Sequence, residues 1–308
     1  MMRVAFLGSG AFGVPTLAAL ASRHRLVGVV SQPDRPAGRG GTLTPTPVSA
    51  WAQGAGVSEL MKPEDVNTPG ALARISSWSP EAVVVIAFGQ KLSPELVGIA
   101  PAFNLHASLL PRWRGAAPIN WAIVGGDVVT GNSVIGIAQR MDAGLVYATS
   151  RREIGPTATA GELHDLLSTD GVELMLGVLE GMAMGRARGE VQDETLRTRA
   201  PKLSREMAVV DFQRTADDCR RTINGLSPWP GVTVRLRGEA LKLLRAGPAS
   251  GGGAGPAGTL VDPQRGVVAC GDGSIELIDV QPAGKRPMLW REFAAGHRPV
   301  AGEKLSCS

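Results

Sequence analysis

Two polar side chains with catalytic potential, Asn104 and His106, lie two residues apart in the sequence. Alternate residues of a strand point to the same face of a sheet, so the two side chains share one target if they end a strand. A side-chain amide beside an imidazole can stabilise an oxyanion. A histidine at a strand end can equally be a hydrogen-bonded structural residue, and the pair alone leaves both interpretations open.

The residues that follow His106 predict a loop at the mouth of that strand. Pro111 ends strand pairing, Gly115 allows the backbone to turn, and a helix is predicted to begin near Ile119. In parallel α/β sheets, ligands bind at the carboxyl ends of strands, where loops supply the reactive groups. The sequence therefore predicts a ligand site beside this loop.

Two further strands are predicted to bring candidate residues to the same edge. The apolar run 82–87 is typical of a strand buried on both faces, and its tip is 88–92. The run 132–138 predicts another strand, and Asp142 follows it. Because the carboxyl ends of parallel strands meet at one edge, we expect Asp142 to lie near His106.

Strands alternate with helices up to about residue 150, which predicts an α/β fold with an open parallel, Rossmann-like sheet and helices on both faces. Several short strands follow residue 230 and predict a small, OB-like β-barrel. We therefore predict a catalytic domain at 1–188, a linker at 189–208 and a β-barrel domain at 209–308.

Two helices are predicted between Asp142 and the linker. The residues Thr159 to Glu162 have the pattern of a capping box, which predicts a helix that continues to Thr169. Gly171 is predicted to end it, and a second helix is predicted at 172–184.

The turn from Gly8 to Gly13 has the spacing G-x-G-x-x-G after a strand and before a helix, which is the context of a dinucleotide fingerprint. A nicotinamide-dependent oxidoreductase is therefore one function that the sequence allows. The acidic residue that would hold the ribose should end the next strand, but Pro33 precedes Asp34. The glycines can otherwise serve only a tight turn and close helix packing.

The composition describes a globular protein long enough for two domains, with 308 residues of which 44% are hydrophobic. No apolar run reaches a membrane-spanning length, and we interpret Val4 to Leu7 as the first strand rather than a targeting segment. Three well-separated cysteines indicate neither a zinc site nor a disulfide framework, so a cytoplasmic protein is expected. The formal charge of +4 permits an anionic partner.

The segment 32–45 carries Arg35 and Arg39 among prolines and glycines. It is long for a turn between a strand and a helix, and too rich in helix and strand breakers to fold alone. A long basic loop beside a site can clamp an anionic substrate, and it can also be a solvated insertion without that function.

Segments 104–119 (NLHASLLPRWRGAAPI) and 32–40 (QPDRPAGRG) resemble the methionyl-tRNA formyltransferase family. Further similar segments follow in the order of that family, at 191–195, 202–204, 224–230 and 281–285. The Asn-x-His and Ser-Leu-Leu-Pro core is also shared with other folate-dependent formyltransferases, which act on glycinamide ribonucleotide or sugar nucleotides.

The resemblance implies transfer of the formyl group of 10-formyltetrahydrofolate to the amino group of methionyl initiator tRNA, without a metal. It implies the catalytic residues Asn104, His106 and Asp142. It places the folate against Phe88, Gln90, Leu92, Ser108, Leu109, Leu110 and Pro111. It implies tRNA contacts by Arg35 and Arg39 in the basic loop and by Arg235, Arg237, Lys242 and Lys285 in the barrel. We expect a monomer.

The turn at 8–13 departs from the family pattern, which we interpret as turn variation. A second departure concerns the family pattern Met-Asp-x-Gly-Leu-Asp-Thr-Gly, whose second Asp is catalytic. Here Met141-Asp142-Ala143-Gly144 continues directly into Leu145 and Val146. A deletion would place Asp142 at the catalytic position, whereas an ungapped alignment would place Val146 there and imply a catalytically silent tRNA-binding protein. We favour the deletion, and it requires Asp142 within reach of His106, directly or through one water. A sugar-nucleotide or small-amine formyltransferase is the remaining alternative.

Overall fold

The computed structural model describes residues 1–38, 40–251 and 255–307. The chain divides into two compact units. The first comprises Met1–Arg114, Gly131–Arg151 and His164–Arg199, and the second comprises Gly115–Thr130, Arg152–Leu163 and Ala200–Ser308. Nothing in these units tests the domain boundaries predicted at 188 and 208, which stay a prediction. No helix in the described part of the chain has both the length and the apolar character to span a membrane.

Strands and helices alternate along the first part of the chain and give way to a run of strands in the last. Those before residue 100 are β1 (Arg3–Gly8), α1 (Val14–Arg23), β2 (Arg25–Val30), β3 (Arg35–Ala37), β4 (Thr42–Thr44), α2 (Pro47–Gly54), β5 (Leu60–Met61), α3 (Pro69–Ser77), β6 (Ala82–Ile86) and α4 (Pro94–Val97). Those from 100 to 200 are β7 (Ala102–His106), β8 (Arg114–Gly115), α5 (Pro118–Val124), β9 (Val129–Gly136), β10 (Val146–Glu153), α6 (Ala160–Ala183) and β11 (Arg199–Ala200). The remainder are α7 (Ala216–Gly225), β12 (Val232–Leu236), β13 (Glu239–Pro248), β14 (Leu260–Asp262), β15 (Val267–Ala269), β16 (Ser274–Pro282), β17 (Met288–Leu289), α8 (Trp290–His297) and β18 (Ser306–Cys307).

The predicted open α/β sheet is confirmed, with the strand order β10-β9-β7-β6-β1-β2-β5. β1 pairs in parallel with β2 and β6, and β6 pairs in parallel with β7. All five residues of β6 are buried, as expected for an apolar strand covered on both faces. β9 is antiparallel to β7, so the sheet is mixed rather than wholly parallel. An antiparallel addition to a mostly parallel sheet is common in α/β folds.

Local sequence signals explain where several helices begin. Thr46 accepts a hydrogen bond from the backbone of Ser49 at the start of α2, and Thr68 accepts one from Ala71 at the start of α3. A proline follows each of these capping residues, where its fixed φ suits the first helical position. These signals explain why α2 and α3 begin at Pro47 and Pro69.

The two helices predicted after Asp142 are one helix, α6, of 24 residues. The capping box is confirmed, since Thr159 and Glu162 exchange hydrogen bonds between side chain and backbone. The predicted stop at Gly171 is wrong. A Cβ atom on Gly171 would lie 2.3 Å from Cδ2 of Leu105, so this glycine allows close packing of α6 on β7.

The second unit contains an antiparallel sheet with the order β14-β15-β16-β13-β12-β18. Its two edges are joined by the last residues of the chain. Leu305 donates to the carbonyl of Gly258 beside β14, and Ser306 pairs with Arg235 of β12. The sheet therefore closes, which confirms the predicted small barrel. Its core contains the fully buried side chains of Val232, Val234, Leu243, Leu260, Val268, Ile275 and Val280.

Candidate active site

The strand β7 presents Asn104 and His106 on one face, as predicted from their spacing. β7 is paired on both sides: Asn104 lies opposite Val85 of β6 and Ile135 of β9, and His106 lies opposite Ser133 of β9. Pairing on both sides holds this strand rigidly. The His106 side chain is 6% exposed, and Asn104 is half-buried. An internal strand thus carries both candidates at a fixed spacing.

The structure brings Asp142 to His106 by a different route from the one that was predicted. Because β9 is antiparallel to β7, its carboxyl end at Gly136 lies opposite Phe103, away from His106. The segment 137–145, which we call the Asp142 loop, then returns, and Oδ2 of Asp142 lies 3.7 Å from Nδ1 of His106. Alignment at a common strand end was the wrong reason for this proximity, because it assumed that the two strands were parallel.

His106 lies between two oxygen atoms. Nδ1 faces the Asp142 carboxylate at 3.7 Å, and Nε2 is 3.0 Å from the carbonyl oxygen of Trp113. The contact of Nε2 with Trp113 is within hydrogen-bond range, whereas the 3.7 Å between Nδ1 and Asp142 is longer than a hydrogen bond. The carbonyl of Trp113 engages Nε2, so Nδ1 is the ring nitrogen that faces Asp142.

The loop after β7 is held by buried hydroxyl groups. Ser108 is fully buried, and its Oγ donates to the carbonyl of Arg112 at 2.6 Å. Oγ of Ser133 donates to the carbonyl of Ser108 at 2.7 Å and accepts from the backbone of Leu110 at 3.1 Å. The predicted folate contacts Leu109, Leu110 and Pro111 are half-buried. The loop therefore presents partly exposed apolar residues on a rigid backbone.

Two predicted folate contacts in the tip after β6, Phe88 and Gln90, are engaged by other residues of the protein. Phe88 is 3% exposed and belongs to the hydrophobic core of the first unit. The side-chain amide of Gln90 accepts from the backbone of Val66 at 2.8 Å and donates to the carbonyl of Pro63 at 3.0 Å. Leu92 is half-buried against the same core. A folate contact by Phe88 or Gln90 would thus involve the backbone, and it stays a prediction.

The Asp142 loop is attached to a later segment of the chain. Nε2 of Gln192 donates to the carbonyl oxygens of Asp142 and Gly144, at 2.9 Å and 2.8 Å. Asp142 itself has a left-handed backbone with φ of 53°, a conformation that aspartate adopts more readily than most residues other than glycine.

A buried arginine anchors the same segment. Arg114 is 7% exposed, and its Nε and Nη2 atoms donate to Oε1 of Gln192 at 3.0 Å and 2.7 Å. Nη2 of Arg114 and Nη2 of Arg140 lie 2.8 Å and 2.7 Å from Oε1 of Glu194. The hydrogen bond from Arg114, with that from Arg140, lowers the pKa of the Glu194 carboxyl. The charge of the buried guanidinium is therefore compensated, as burial requires.

Three residues of this site were not predicted from the sequence: Gln192, Arg114 and Ser133. Gln192 lies in the predicted linker, and its only signal was the likeness of 191–195 to the family. Ser133 gave a clearer signal, because a serine within an apolar strand must find a hydrogen-bonding partner when it is buried.

The glycine-rich turn has no free backbone donors at its start. The amides of Ser9 and Gly10 both donate to the carbonyl of Ala87 at 3.2 Å. A Cβ atom on Gly8 would lie 2.8 Å from the carbonyl oxygen of Ile86. These glycines thus serve the tight turn. Asp34, the candidate ribose ligand, forms an ion pair with Lys62 at 2.8 Å.

The predicted tRNA contacts of the first unit are Arg35 and Arg39. Arg35 is exposed and forms an ion pair with Glu64. Arg39 lies outside the described residues. Among the described residues, no group of three or more His, Cys, Asp or Glu side chains could hold a metal ion.

The predicted tRNA contacts of the second unit differ in how they are engaged. Arg235 donates to the carbonyl of Gly238, and Lys242 donates to that of Pro228, each at 2.8 Å. Lys285 is exposed, and in the described chain its ammonium group makes no hydrogen bond or ion pair.

Arg237 is the most strongly engaged of the four. It donates to Glu303, with 3.1 Å between Nη2 and Oε2, and to the carbonyls of His297 and Arg298. The hydrogen bond to Glu303 raises the pKa of the Arg237 guanidinium. Much of its charge is therefore already neutralised within the barrel.

Family profiles match both parts of the chain. The profile described as Formyl transferase matches residues 2–179, and that described as Formyl transferase, C-terminal domain, matches residues 202–298. This chain belongs to the formyl transferase family. The resemblance seen in the sequence is thus confirmed.

Two relatives match the formyl transferase chain over nearly its full length. A methionyl-tRNA formyltransferase of Moorella thermoacetica is 41% identical over 312 residues, which cover 99% of this chain and 100% of that protein. A methionyl-tRNA formyltransferase of Cereibacter sphaeroides is 42% identical over 310 residues and covers 100% of both chains.

A solved structure shares the formyl transferase fold. HypX from Aquifex aeolicus in complex with tetrahydrofolic acid has a TM-score of 0.64 and 17% identity. The match covers 95% of this chain and 47% of HypX, so this chain spans about half the length of that protein. At this identity the likeness shows the fold alone.

Proposed function

We propose that the protein transfers the formyl group of 10-formyltetrahydrofolate to the free amino group of methionyl initiator tRNA, giving N-formylmethionyl-tRNA. The observation that carries the proposal is the approach of the Asp142 carboxylate to the His106 ring, 3.7 Å away, beside Asn104 on one face of β7. The full-length similarity to relatives named methionyl-tRNA formyltransferase supports the choice of substrates.

Formyl transfer requires an oxyanion site. The amine attacks the formyl carbon and the carbonyl oxygen becomes negative, so donors aimed at that oxygen lower the barrier. No described residue is hydrogen-bonded to the side chain of Asn104, whose amide is half-buried and can donate. Nε2 of His106 is engaged by the carbonyl of Trp113, so Nδ1 is the ring nitrogen that can face the oxyanion, and it donates there only when the ring carries both protons. We assign oxyanion stabilisation to Asn104 and His106.

The reaction also moves a proton. A carbon–nitrogen bond forms at the acceptor amine and the bond from the formyl carbon to N10 of the folate breaks, so the amine loses a proton and N10 gains one. A carboxylate near both nitrogens can carry that proton in a general acid–base role. We assign this role to Asp142, which also orients His106. The position of Asp142 supports a shortened loop over an ungapped alignment with Val146.

The folate would lie along the loop after β7. Leu109, Leu110 and Pro111 offer partly exposed apolar surface, as a planar heterocycle requires, and Leu92 extends it from the neighbouring tip. Ser108 is fully buried and its hydroxyl is hydrogen-bonded within the loop, so its proposed contribution is to shape the loop.

The anionic tRNA would contact the cationic residues of both units. Lys285 is the strongest candidate in the barrel, because its ammonium is exposed. Arg235 and Lys242 would have to exchange carbonyl partners for phosphates. We propose that the reaction takes place in the cytoplasm and that the protein acts as a monomer.

The test is an assay with 10-formyltetrahydrofolate that carries a labelled formyl group. We expect label in methionyl initiator tRNA and none in the same tRNA without its methionine. A sugar-nucleotide amine is offered in parallel. Label in the sugar nucleotide alone would assign the second acceptor class, for which the fold is also suited, and label in neither would contradict formyl transfer.

A further inference from the structure

We propose that Gln192 is a positioning residue that holds the Asp142 carboxylate against His106. The proposal rests on the function proposed above, since it assigns Gln192 a part in formyl transfer. Gln192 is 7% exposed and lies fifty residues beyond Asp142 in the sequence. Its side chain joins two segments of the first unit that the sequence keeps far apart.

The amide nitrogen of Gln192 is fully used on the Asp142 loop. Its two hydrogens are donated to the carbonyl oxygens of Asp142 and Gly144, at 2.9 Å and 2.8 Å. The two carbonyls lie on either side of Ala143, so one side chain fixes the backbone around the last part of the loop. A backbone held on both sides gives the attached carboxylate a defined position.

The amide oxygen of Gln192 is equally fully used, by Arg114. Nε and Nη2 of the guanidinium donate to it at 3.0 Å and 2.7 Å. A guanidinium has only donors, so it must face the oxygen of the amide and the nitrogen must face the carbonyls. The orientation of Gln192 is therefore set by its partners. Arg114 directly follows the loop after β7 and connects Gln192 to that loop.

The Asp142 loop depends on such an attachment. It lies between β9 and β10, and Asp142 has a φ of 53°, in the left-handed region that aspartate adopts more readily than most residues other than glycine. Gly144 cannot be enlarged, since a Cβ atom would lie 1.8 Å from the carbonyl oxygen of Gly136. Besides a turn hydrogen bond from Ala143 to Arg140, the conformation that brings Asp142 to His106 is held by the two hydrogen bonds from Gln192.

Gln192→Glu separates positioning from packing, because it keeps the shape of the side chain. The new carboxylate still accepts from Arg114, so the buried guanidinium stays paired. Its second oxygen would face two carbonyl oxygens and repel them. A residue that serves only to pair Arg114 would tolerate this change, whereas a residue that positions Asp142 would not. Gln139→Glu is the matched control, because Gln139 is exposed on the same loop.

The experiment compares the full-length wild-type protein with these two variants in formyl transfer to methionyl initiator tRNA. For Gln192→Glu we expect kcat to fall about tenfold to a hundredfold, the size that follows from misplacing a catalytic group by about 1 Å. We expect KM for both substrates to stay near the wild-type values and Tm to fall, because two buried hydrogen bonds are lost, so kcat is measured well below the Tm of the variant. Gln139→Glu should keep the wild-type kcat. Amide hydrogen exchange in 137–145, corrected for intrinsic rates, should be faster in Gln192→Glu alone.

A wild-type kcat in Gln192→Glu would overturn the proposal, and so would an equal loss of kcat in Gln139→Glu. A fall in kcat that only follows a fall in Tm would assign Gln192 to stability instead. A wild-type rate in Asp142→Asn would remove the group that Gln192 is proposed to position. If the wild-type protein transfers no formyl group, the proposed function fails, and unchanged hydrogen exchange in Gln192→Glu would separately refute the attachment of the loop.

Discussion

The ring of His106 lies between two oxygen atoms, one beside each ring nitrogen. The carbonyl of Trp113 engages Nε2 at 3.0 Å, and the carboxylate of Asp142 lies 3.7 Å from Nδ1. With one nitrogen committed to the protein, only the other can act on a substrate. The side chain of Asn104, two residues earlier on the same face, supplies the second donor. At the scale of residues, the proposed site is thus a pair of donors with one carboxylate beside them.

Removing either the donor or the carboxylate should slow formyl transfer. We expect Asn104→Ala and Asp142→Asn each to lower kcat about a hundredfold or more, the loss typical of an oxyanion donor or an acid–base group. Steady-state kinetics with methionyl initiator tRNA measure this. Asp272→Asn, at an exposed carboxylate of the second unit, should keep the wild-type rate. A wild-type kcat in either site variant would remove that residue from the mechanism.

Ser133→Ala should loosen the loop that is proposed to bind folate. The change leaves the backbone N–H of Leu110 and the carbonyl of Ser108 without their shared hydroxyl partner. Loss of these buried hydrogen bonds costs about 1–3 kcal/mol. We expect a lower Tm and a higher KM for 10-formyltetrahydrofolate. An unchanged KM together with a lower Tm would show that Ser133 serves stability alone.

At the scale of elements, close packing of α6 on β7 supports the strand that carries the site. Gly171 lies in the middle of this helix, where glycine costs about 1 kcal/mol relative to alanine. The glycine is explained by Leu105, whose Cδ2 would lie 2.3 Å from a Cβ atom at that position. Helix propensity and packing therefore oppose each other at this residue.

Gly171→Ala decides which of the two effects is larger. Helix propensity alone would stabilise the protein by about 1 kcal/mol, whereas overpacking costs about 1–3 kcal/mol. We expect a net loss of stability and a lower Tm. Gly177→Ala in the same helix is the control, because a Cβ atom at Gly177 would have no described neighbour within 4 Å, and it should raise Tm. A higher Tm in both variants would show that Leu105 moves aside at little cost.

At the scale of the whole molecule, the chain combines a mixed α/β sheet in one unit with a closed antiparallel sheet in the other. Its formal net charge is only +4, so tRNA binding would depend on local cations rather than on the overall field. Two cationic residues of the barrel differ in whether an acidic partner already neutralises their charge. Lys285 is exposed, whereas Arg237 is paired with Glu303.

Lys285→Ala should weaken tRNA binding at low salt. Each lost phosphate contact lowers the salt dependence of the logarithm of the binding constant by about 0.7–0.9 of a unit. Filter binding of initiator tRNA at several salt concentrations measures this slope. Arg237→Ala should instead lower Tm, since Glu303 and two backbone carbonyls lose their donor. An unchanged slope in Lys285→Ala would exclude Lys285 from the interface.

Much of the fold could be predicted from the sequence, because the signals involved are local. The apolar run of β6, the capping residues Thr46 and Thr68 and the spacing of Asn104 and His106 each depend on a few neighbouring residues. Strand and helix geometry converts such patterns directly into structure. The family could also be predicted, since the segment 104–119 resembles the family's sequence pattern nearly throughout.

The tertiary structure alone decided three features, because each depends on residues far apart in the chain. β9 runs antiparallel to β7, so the carboxyl end of β9 lies away from His106. Asp142 reaches His106 on the loop that returns from that end. Gly171, which was predicted to end a helix, lies inside α6, where it allows close packing against Leu105. The hydrogen bonds of Gln192 to the loop span about fifty residues of sequence. Local sequence patterns do not predict such pairings, because the partner of a buried polar group is determined only when distant segments of the chain pack together.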